Sequence, residues 1–129
     1  LFVDRRPYPY HLAISKHWMV HHASADMAAD AWRMEEELRF LADPEAAIGA
    51  RALAAVGAIA RRLDLDYAGL DFSVLPDGQV LVFEANATML IHPEPPEGLF
   101  ARKNPYIQNI LDAFDTHLIS VASGALAAG

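Results

Sequence analysis

The sequence predicts an α+β domain, a mainly antiparallel sheet with helices packed on one face. Two patterns lead to that class. Tyr67–Val74 and Val80–Ala85 read as strands joined around Pro76-Asp77-Gly78, a turn sequence between β-rich runs. Helical stretches flank them: an alanine-rich segment from Ala46 to Arg62 and an amphipathic one starting near Pro105. With 129 residues, 53% of them hydrophobic, the chain is long enough to bury one core.

The remaining elements follow in chain order. Leu1 to Asp4 reads as a short apolar strand. Arg5-Arg6-Pro7-Tyr8-Pro9 reads as a turn or irregular edge, because two prolines cannot both serve a central ladder. His11–Ser15 and Trp18–His21 read as two further strands. Asp26 is placed to cap a helix running to about Leu41, with Glu35, Glu36 and Glu37 as its solvated face. Asp43-Pro44-Glu45 is a second helix start, with Asp43 as cap and Pro44 at the first helical position. The helix beyond it carries Ile48, Val56, Ile59 and Leu63 as apolar positions. Gly49 and Gly57 weaken it by about 1 kcal/mol each relative to alanine unless they permit close packing. A proline-bearing loop runs from Ala87 to about Asn104. The last helix then places Ile107, Ile110, Leu111, Phe114, Leu118 and Ile119 on its apolar side. Residues 1–122 form one unit, and Ser123–Gly129 is a small-residue tail expected to fray.

Composition excludes several roles. The formal net charge is −7, and no basic stripe interleaved with aromatics is present, so nucleic acid is not an expected partner. An acidic surface also repels a nucleotide unless a bound cation bridges the two. No cysteine is present, which rules out disulfides and thiolate metal sites and suits a reducing, cytoplasmic setting. The apolar stretches are short and interrupted, so no membrane-spanning helix is expected, and no signal-peptide pattern is recognised. Leu1-Phe2-Val3 opens an apolar run without an initiator methionine and reads as the start of a fragment. Apolar surface bared by truncation tends to self-associate, so a homo-oligomer through that surface is expected.

The hairpin register can be argued from two sides. Leu75-Pro76-Asp77-Gly78 suits a three-residue loop that pairs Leu75 with Gln79 and sets Asp71 opposite Phe83. A two- or four-residue loop instead pairs Phe72 with Phe83 and Asp71 with Glu84, leaving Leu70, Phe72, Val74, Leu81, Phe83 and Ala85 as one apolar face. A one-residue slip moves every side chain to the wrong face, so the hydrophobic pattern favours the second register, and a bulge would reconcile the two. Asp71 and Glu84 then lie opposite one another, a destabilising like-charge pair, and Asn86 projects on the same side. Two carboxylates and an amide oxygen are hard ligands for a divalent cation such as Mg²⁺. The plainer reading is a surface hairpin whose acids face water.

These residues carry a family resemblance. Tyr67-Ala68-Gly69-Leu70-Asp71-Phe72, then Asp77-Gly78, then Val82-Phe83-Glu84-Ala85-Asn86-Ala87, resembles the signature hairpin of the ATP-grasp superfamily, which includes glutathione-synthetase-like and D-alanine–D-alanine-ligase-like enzymes. The resemblance covers most of residues 45–92 and, more loosely, the strands and helix before them. It implies the C-terminal lobe of such a fold. In that lobe Asp71, Glu84 and Asn86 would hold Mg²⁺, with Mn²⁺ as the alternative, against ATP phosphates. It implies a full-length ligase that phosphorylates a small-molecule or peptide carboxylate to an acyl phosphate, which an amine or thiol then attacks. The other lobe, with its adenine cleft and phosphate-binding lysines, would lie upstream of Leu1, so the fragment alone is expected to be inactive. Several relatives carry an arginine where this chain has Gly69; Arg6 and His11 are the candidate replacements. The loop Ala87-Thr88-Met89-Leu90-Ile91-His92-Pro93 does not match a substrate class, although His92 is placed to touch substrate. A non-catalytic interaction or regulatory module derived from the same fold, and a plain structural domain, are the competing readings.

Other signals are weaker. His17 and His21 share a strand face and could take zinc with a third ligand, whereas His21 and His22 point apart. Trp18, Trp32 and Phe40 read as core or interface residues. Ser15, Ser24 and Ser73 have no Ser-His-Asp context. Arg102-Lys103 reads as a solvated loop pair.

Overall fold

A computed structural model of the chain describes residues 1–15, 27 and 30–127. Among these residues, one antiparallel sheet has the order β2-β1-β3-β4, with β1 at Phe2–Val3, β2 at Arg6–Pro7, β3 at Tyr67–Val74 and β4 at Val80–Asn86. Four helices accompany it: α1 Ala31–Ala42, α2 Pro44–Ile48, α3 Ala50–Leu63 and α4 Asn104–Ala127, the last entered through a 3₁₀ turn at Ala101–Lys103. The α+β class is as the sequence predicts.

β1 and β2 form a tight hairpin whose two turn residues, Asp4 and Arg5, have φ of 48° and 60°. Left-handed backbone at both positions is what a two-residue loop between twisted strands requires. Arg5 fixes that turn to the end of α3 and the start of β3, 2.9 Å from Asp64 and 2.8 Å from Asp66. Pro7 sits on the edge strand, where its missing N–H costs no ladder bond. The strand expected at His11–Ser15 does not form; that segment is irregular. Trp18–His21, the His17/His21 pair and Asp26 lie outside the described residues.

α1 begins later than the sequence suggests, with Asp30 as its N-cap in extended conformation. Arg33, Glu37, Phe40 and Leu41 are buried on it, the i, i+4, i+7, i+8 stripe of one helix face. Glu37 is therefore not part of a solvated face: it is 1% exposed, while Glu35 stays outside. Trp32 falls off the stripe and is 52% exposed, so of its two expected places, core or interface, the core is excluded; Phe40 is a core residue.

Asp43 caps α2 as predicted, its carboxylate accepting from the Ala46 N–H at 3.0 Å. The single helix expected from Ala46 to Arg62 is instead broken by Gly49, at φ +83° and ψ 149°. That conformation is open essentially to glycine alone. The sign of a substitution therefore reverses. Gly49→Ala is expected to destabilise by on the order of 1 kcal/mol rather than strengthen the helix, read as a lower midpoint in urea at unchanged slope.

The core lies between α3 and the sheet. Phe2, Val56, Ala60, Ala68 and Leu70 form its buried centre, with Ile59, Leu63, Phe72 and Val80 packed around it. Helices do not keep to one face, however. Tyr67, paired with Val3, projects on the side opposite Ala68, and its ring meets Phe114 of α4 edge-on at 5.5 Å. α4 thus covers the second face at the β1–β3 end. Ile107 and Ile110 are buried there, but Leu118 and Ile119 are exposed, because the helix runs on past the body of the domain. Its helical backbone continues through Ala127, where a frayed tail is expected from composition. Among the described residues no helix is long and apolar enough to cross a membrane.

Candidate metal face and buried ion cluster

The β3–β4 ladder reconciles both register arguments. Near the turn Val74 pairs with Val80, Ser73 with Leu81 and Phe72 with Val82, and the Leu75 N–H donates to the Gln79 carbonyl at 2.8 Å. This is the register of the three-residue loop. The ladder then shifts by one residue, and Asp71 faces Glu84, Leu70 faces Ala85 and Gly69 faces Asn86. Phe83 is the extra residue of the bulge and is 65% exposed. Turn chemistry governs one half and hydrophobic parity the other. The predicted Phe72–Phe83 pair does not form.

Asp71 and Glu84 are thus direct cross-strand neighbours, with Cβ atoms roughly 4.5–5.5 Å apart for such a pair. Both are exposed, and among the described residues no cationic side chain is ion-paired to either. Asn86 shares their face. Its amide oxygen accepts from the Thr88 N–H at 2.8 Å and the Thr88 hydroxyl at 2.9 Å, closing the turn after β4. The donor set fits a hard cation in ligand type. Among the described residues no third His, Cys, Asp or Glu joins the two carboxylates in a metal-binding group, so Asn86 is the further oxygen donor that the hairpin itself offers.

Gly69 has a specific neighbour. A Cβ placed there would lie 2.3 Å from Cε and 2.5 Å from Sδ of Met89, whose side chain lies across the strand at that point. The Tyr67 hydroxyl holds the same loop by donating to the Met89 carbonyl at 2.5 Å. A longer residue at 69, such as the arginine of the resembled family, has no room while Met89 is seated.

The other candidate residues are dispersed. Arg6 is exposed on the far edge strand, with β1 between it and β3. His92 is exposed in the loop, and its backbone hydrogen-bonds Tyr10, a hydroxyl that burial raises above its ordinary pKa. His11 does not turn toward Asp71 for a partner. It meets Glu37, Nδ1 to Oε1 at 2.5 Å.

That contact belongs to a cluster the sequence reading misses. Glu37 Oε1 also lies 3.0 Å from Lys103 Nζ and accepts from the Leu12 N–H at 3.3 Å. Lys103 is 3% exposed, so it is not the solvated partner of Arg102. Its ammonium is 4.0 Å from Glu94 and 5.6 Å from the centre of the Tyr10 ring. Burial alone would raise the Glu37 carboxyl, but the His11 hydrogen bond and the charges of His11 and Lys103 outweigh it. The net direction is below the ordinary value of 4.5. The cluster ties the N-terminal segment, α1 and the entry to α4 into one unit.

Comparison with known proteins adds no relative: no family model matches the sequence, and neither a curated protein nor a solved structure is significantly similar to it.

Proposed function

We propose that the Asp71–Glu84–Asn86 face holds Mg²⁺, or Mn²⁺ in its place, against ATP phosphates, and that the chain is the metal-holding lobe of an ATP-dependent carboxylate–amine or carboxylate–thiol ligase. The supporting observation is the pairing of Asp71 with Glu84. Two like charges set opposite each other, without a cationic side chain among the described residues to neutralise them, are destabilising until a cation binds. In this reading the carboxylates supply anionic ligands and Asn86 a neutral oxygen. The cation's contribution is to neutralise charge on the phosphoryl group in transfer. A substrate carboxylate oxygen attacks the γ-phosphorus and ADP leaves. The amine or thiol then attacks the acyl carbon and phosphate leaves. In this reading the residues described here supply the metal ligands and no adenine cleft, so the chain is expected to bind Mn²⁺ weakly and ATP only through the metal.

Paramagnetic broadening of amide signals by Mn²⁺ tests the site. Broadening is expected to centre on residues 71 and 84–86, with affinity falling about tenfold or more in Asp71→Asn and again in Glu84→Gln, as loss of one charged ligand implies. Equal broadening in the wild type and the double variant would sink the proposal.

One observation favours a second reading, a non-catalytic interaction or regulatory module of the same fold. Both lone-pair directions of the Asn86 amide oxygen are taken by Thr88. Thr88→Val removes one of those donors. If Mn²⁺ binding tightens, Asn86 is a ligand held back by its turn; if the affinity does not change, Asn86 is a turn residue and the module reading gains.

A further inference from the structure

The turn after β4 closes a ring of contacts beside the carboxylate pair. Gly69 pairs with Asn86 across the ladder. The Asn86 amide oxygen accepts from the Thr88 N–H and hydroxyl, at 2.8 and 2.9 Å. The next residue, Met89, lies back over Gly69, with Cε and Sδ only 2.3 and 2.5 Å from the place a Cβ would take. Asn86, Thr88, Met89 and Gly69 therefore hold one another in sequence. Tyr67 anchors the ring from outside, because its hydroxyl donates to the Met89 carbonyl at 2.5 Å.

This ring lies on the face that carries the carboxylates. Alternation along β3 puts Tyr67, Gly69 and Asp71 on one side. Cross-strand pairing brings Glu84 and Asn86 to that same side. Met89 fills the side-chain space of Gly69, one strand repeat, or about 7 Å, from Asp71. A thioether is a weak acceptor and a soft donor, so it is no ligand for a hard cation. Its effect there is to exclude. Thr88 meanwhile takes both lone-pair directions of the one neutral oxygen on the face. The two obstacles come from consecutive residues, so a single displacement of the chain removes both.

We propose that Thr88 and Met89 form an autoinhibitory strap over the Asp71–Glu84–Asn86 face, lifted when a divalent cation draws Asn86 into its ligand set. The inference rests on the metal reading above and supplies its regulation. Cation binding and strap opening are then one coupled equilibrium. The apparent affinity is lowered by the fraction of chains in which the strap is open. A change that loosens the strap without touching a ligand must therefore tighten cation binding. Tyr67 is the natural control point. Its hydroxyl holds the strap, whereas its ring packs against Phe114 at 5.5 Å and keeps that contact when the hydroxyl is removed. Met89 is the second, since truncating it clears the space over Gly69 and leaves every oxygen ligand in place.

The test compares Mn²⁺ affinity in the wild type, Tyr67→Phe and Met89→Ala, read from paramagnetic broadening at residues 71 and 84–86. Tyr67→Phe is expected to tighten binding by about threefold to tenfold, the weight of one hydrogen bond removed from the closed form. Met89→Ala should tighten it as well. Diamagnetic Mg²⁺ at saturation gives an independent readout: the Thr88 amide should lose its protection from exchange as its bond to Asn86 opens. Affinity unchanged or weakened in either variant overturns the strap, as does a Thr88 amide that stays protected in saturating Mg²⁺. Absence of broadening at residues 71 and 84–86 in all three proteins overturns the metal reading itself, and the strap with it.

Discussion

Glu37→Ala is expected to cost about 3–5 kcal/mol, the range for removing one partner of a buried ion pair. Glu37 and Lys103 are both at least 97% buried, and deletion of the carboxylate leaves an ammonium in the interior whose remaining anionic neighbour among the described residues is Glu94, 4.0 Å away. His11 and the Leu12 N–H lose their acceptor as well. Lys103→Met should be costly alone, whereas Glu37→Leu with Lys103→Met should cost less than the sum of the single changes, because no charge is then stranded. Urea unfolding of the four proteins measures this directly; strict additivity would mean that the pair is not coupled. The pH dependence has a definite sign. The Glu37 carboxyl titrates below its ordinary 4.5 in the folded chain, so its contribution is complete above about that pH and is lost as pH falls through the depressed folded value. Glu37→Gln should remove this part of the acid sensitivity. An unchanged slope of stability against pH below 4.5 would show that other carboxylates carry it.

Gly69→Val is expected to destabilise by about 2–3 kcal/mol, the scale of overpacking a filled site, although strand propensity alone favours valine over glycine. The reason is Met89. A Cβ at 69 meets the Met89 thioether at 2.3–2.5 Å and its Cβ at 3.1 Å, so the loop must lift or the strand must bend. Met89→Ala should restore most of the loss in Gly69→Val while costing little beyond its own buried area in the native background. A double-mutant cycle reads the coupling, and a value near zero would show that Met89 does not occupy the space above Gly69. The Tyr67 hydroxyl bond to the Met89 carbonyl gives a second handle, since Tyr67→Phe loosens the same loop without adding volume.

The hairpin was readable because its information is local. Parity put Leu70, Phe72 and Val74 on one face and Asp71 on the other, while Pro76-Asp77-Gly78 specified the turn. Their disagreement by one residue left room for a bulge, but the register favoured on parity pairs Phe72 with Phe83, the residue that the ladder leaves out. The Asp43 cap was readable for the same reason. Glu37 was missed by treating Glu35, Glu36 and Glu37 as one charged face. The spacing to Phe40 and Leu41 already assigned Glu37 alone to the buried stripe. Lys103 could not have been found this way. Its burial depends on a partner 66 positions earlier (103 − 37), and no local pattern marks that distance. Gly49 carries a similar lesson, since composition shows a glycine but not the φ of +83° that makes it a break between two helices. For Asp71, Glu84 and Asn86 the sequence supplied the shared face; it did not show that Thr88 holds the Asn86 oxygen.

The bulge at Phe83 also separates two jobs along one short hairpin. Val80–Val82 answer to the turn, Glu84–Asn86 to the acidic pair, and a single unpaired residue takes up the difference. A change in loop length around Pro76-Asp77-Gly78 can therefore be absorbed at Phe83 without carrying Glu84 away from Asp71. The tip, which Arg51 holds through the Asp77 carbonyl at 2.8 Å, and the end that carries the carboxylates are thus aligned by separate contacts.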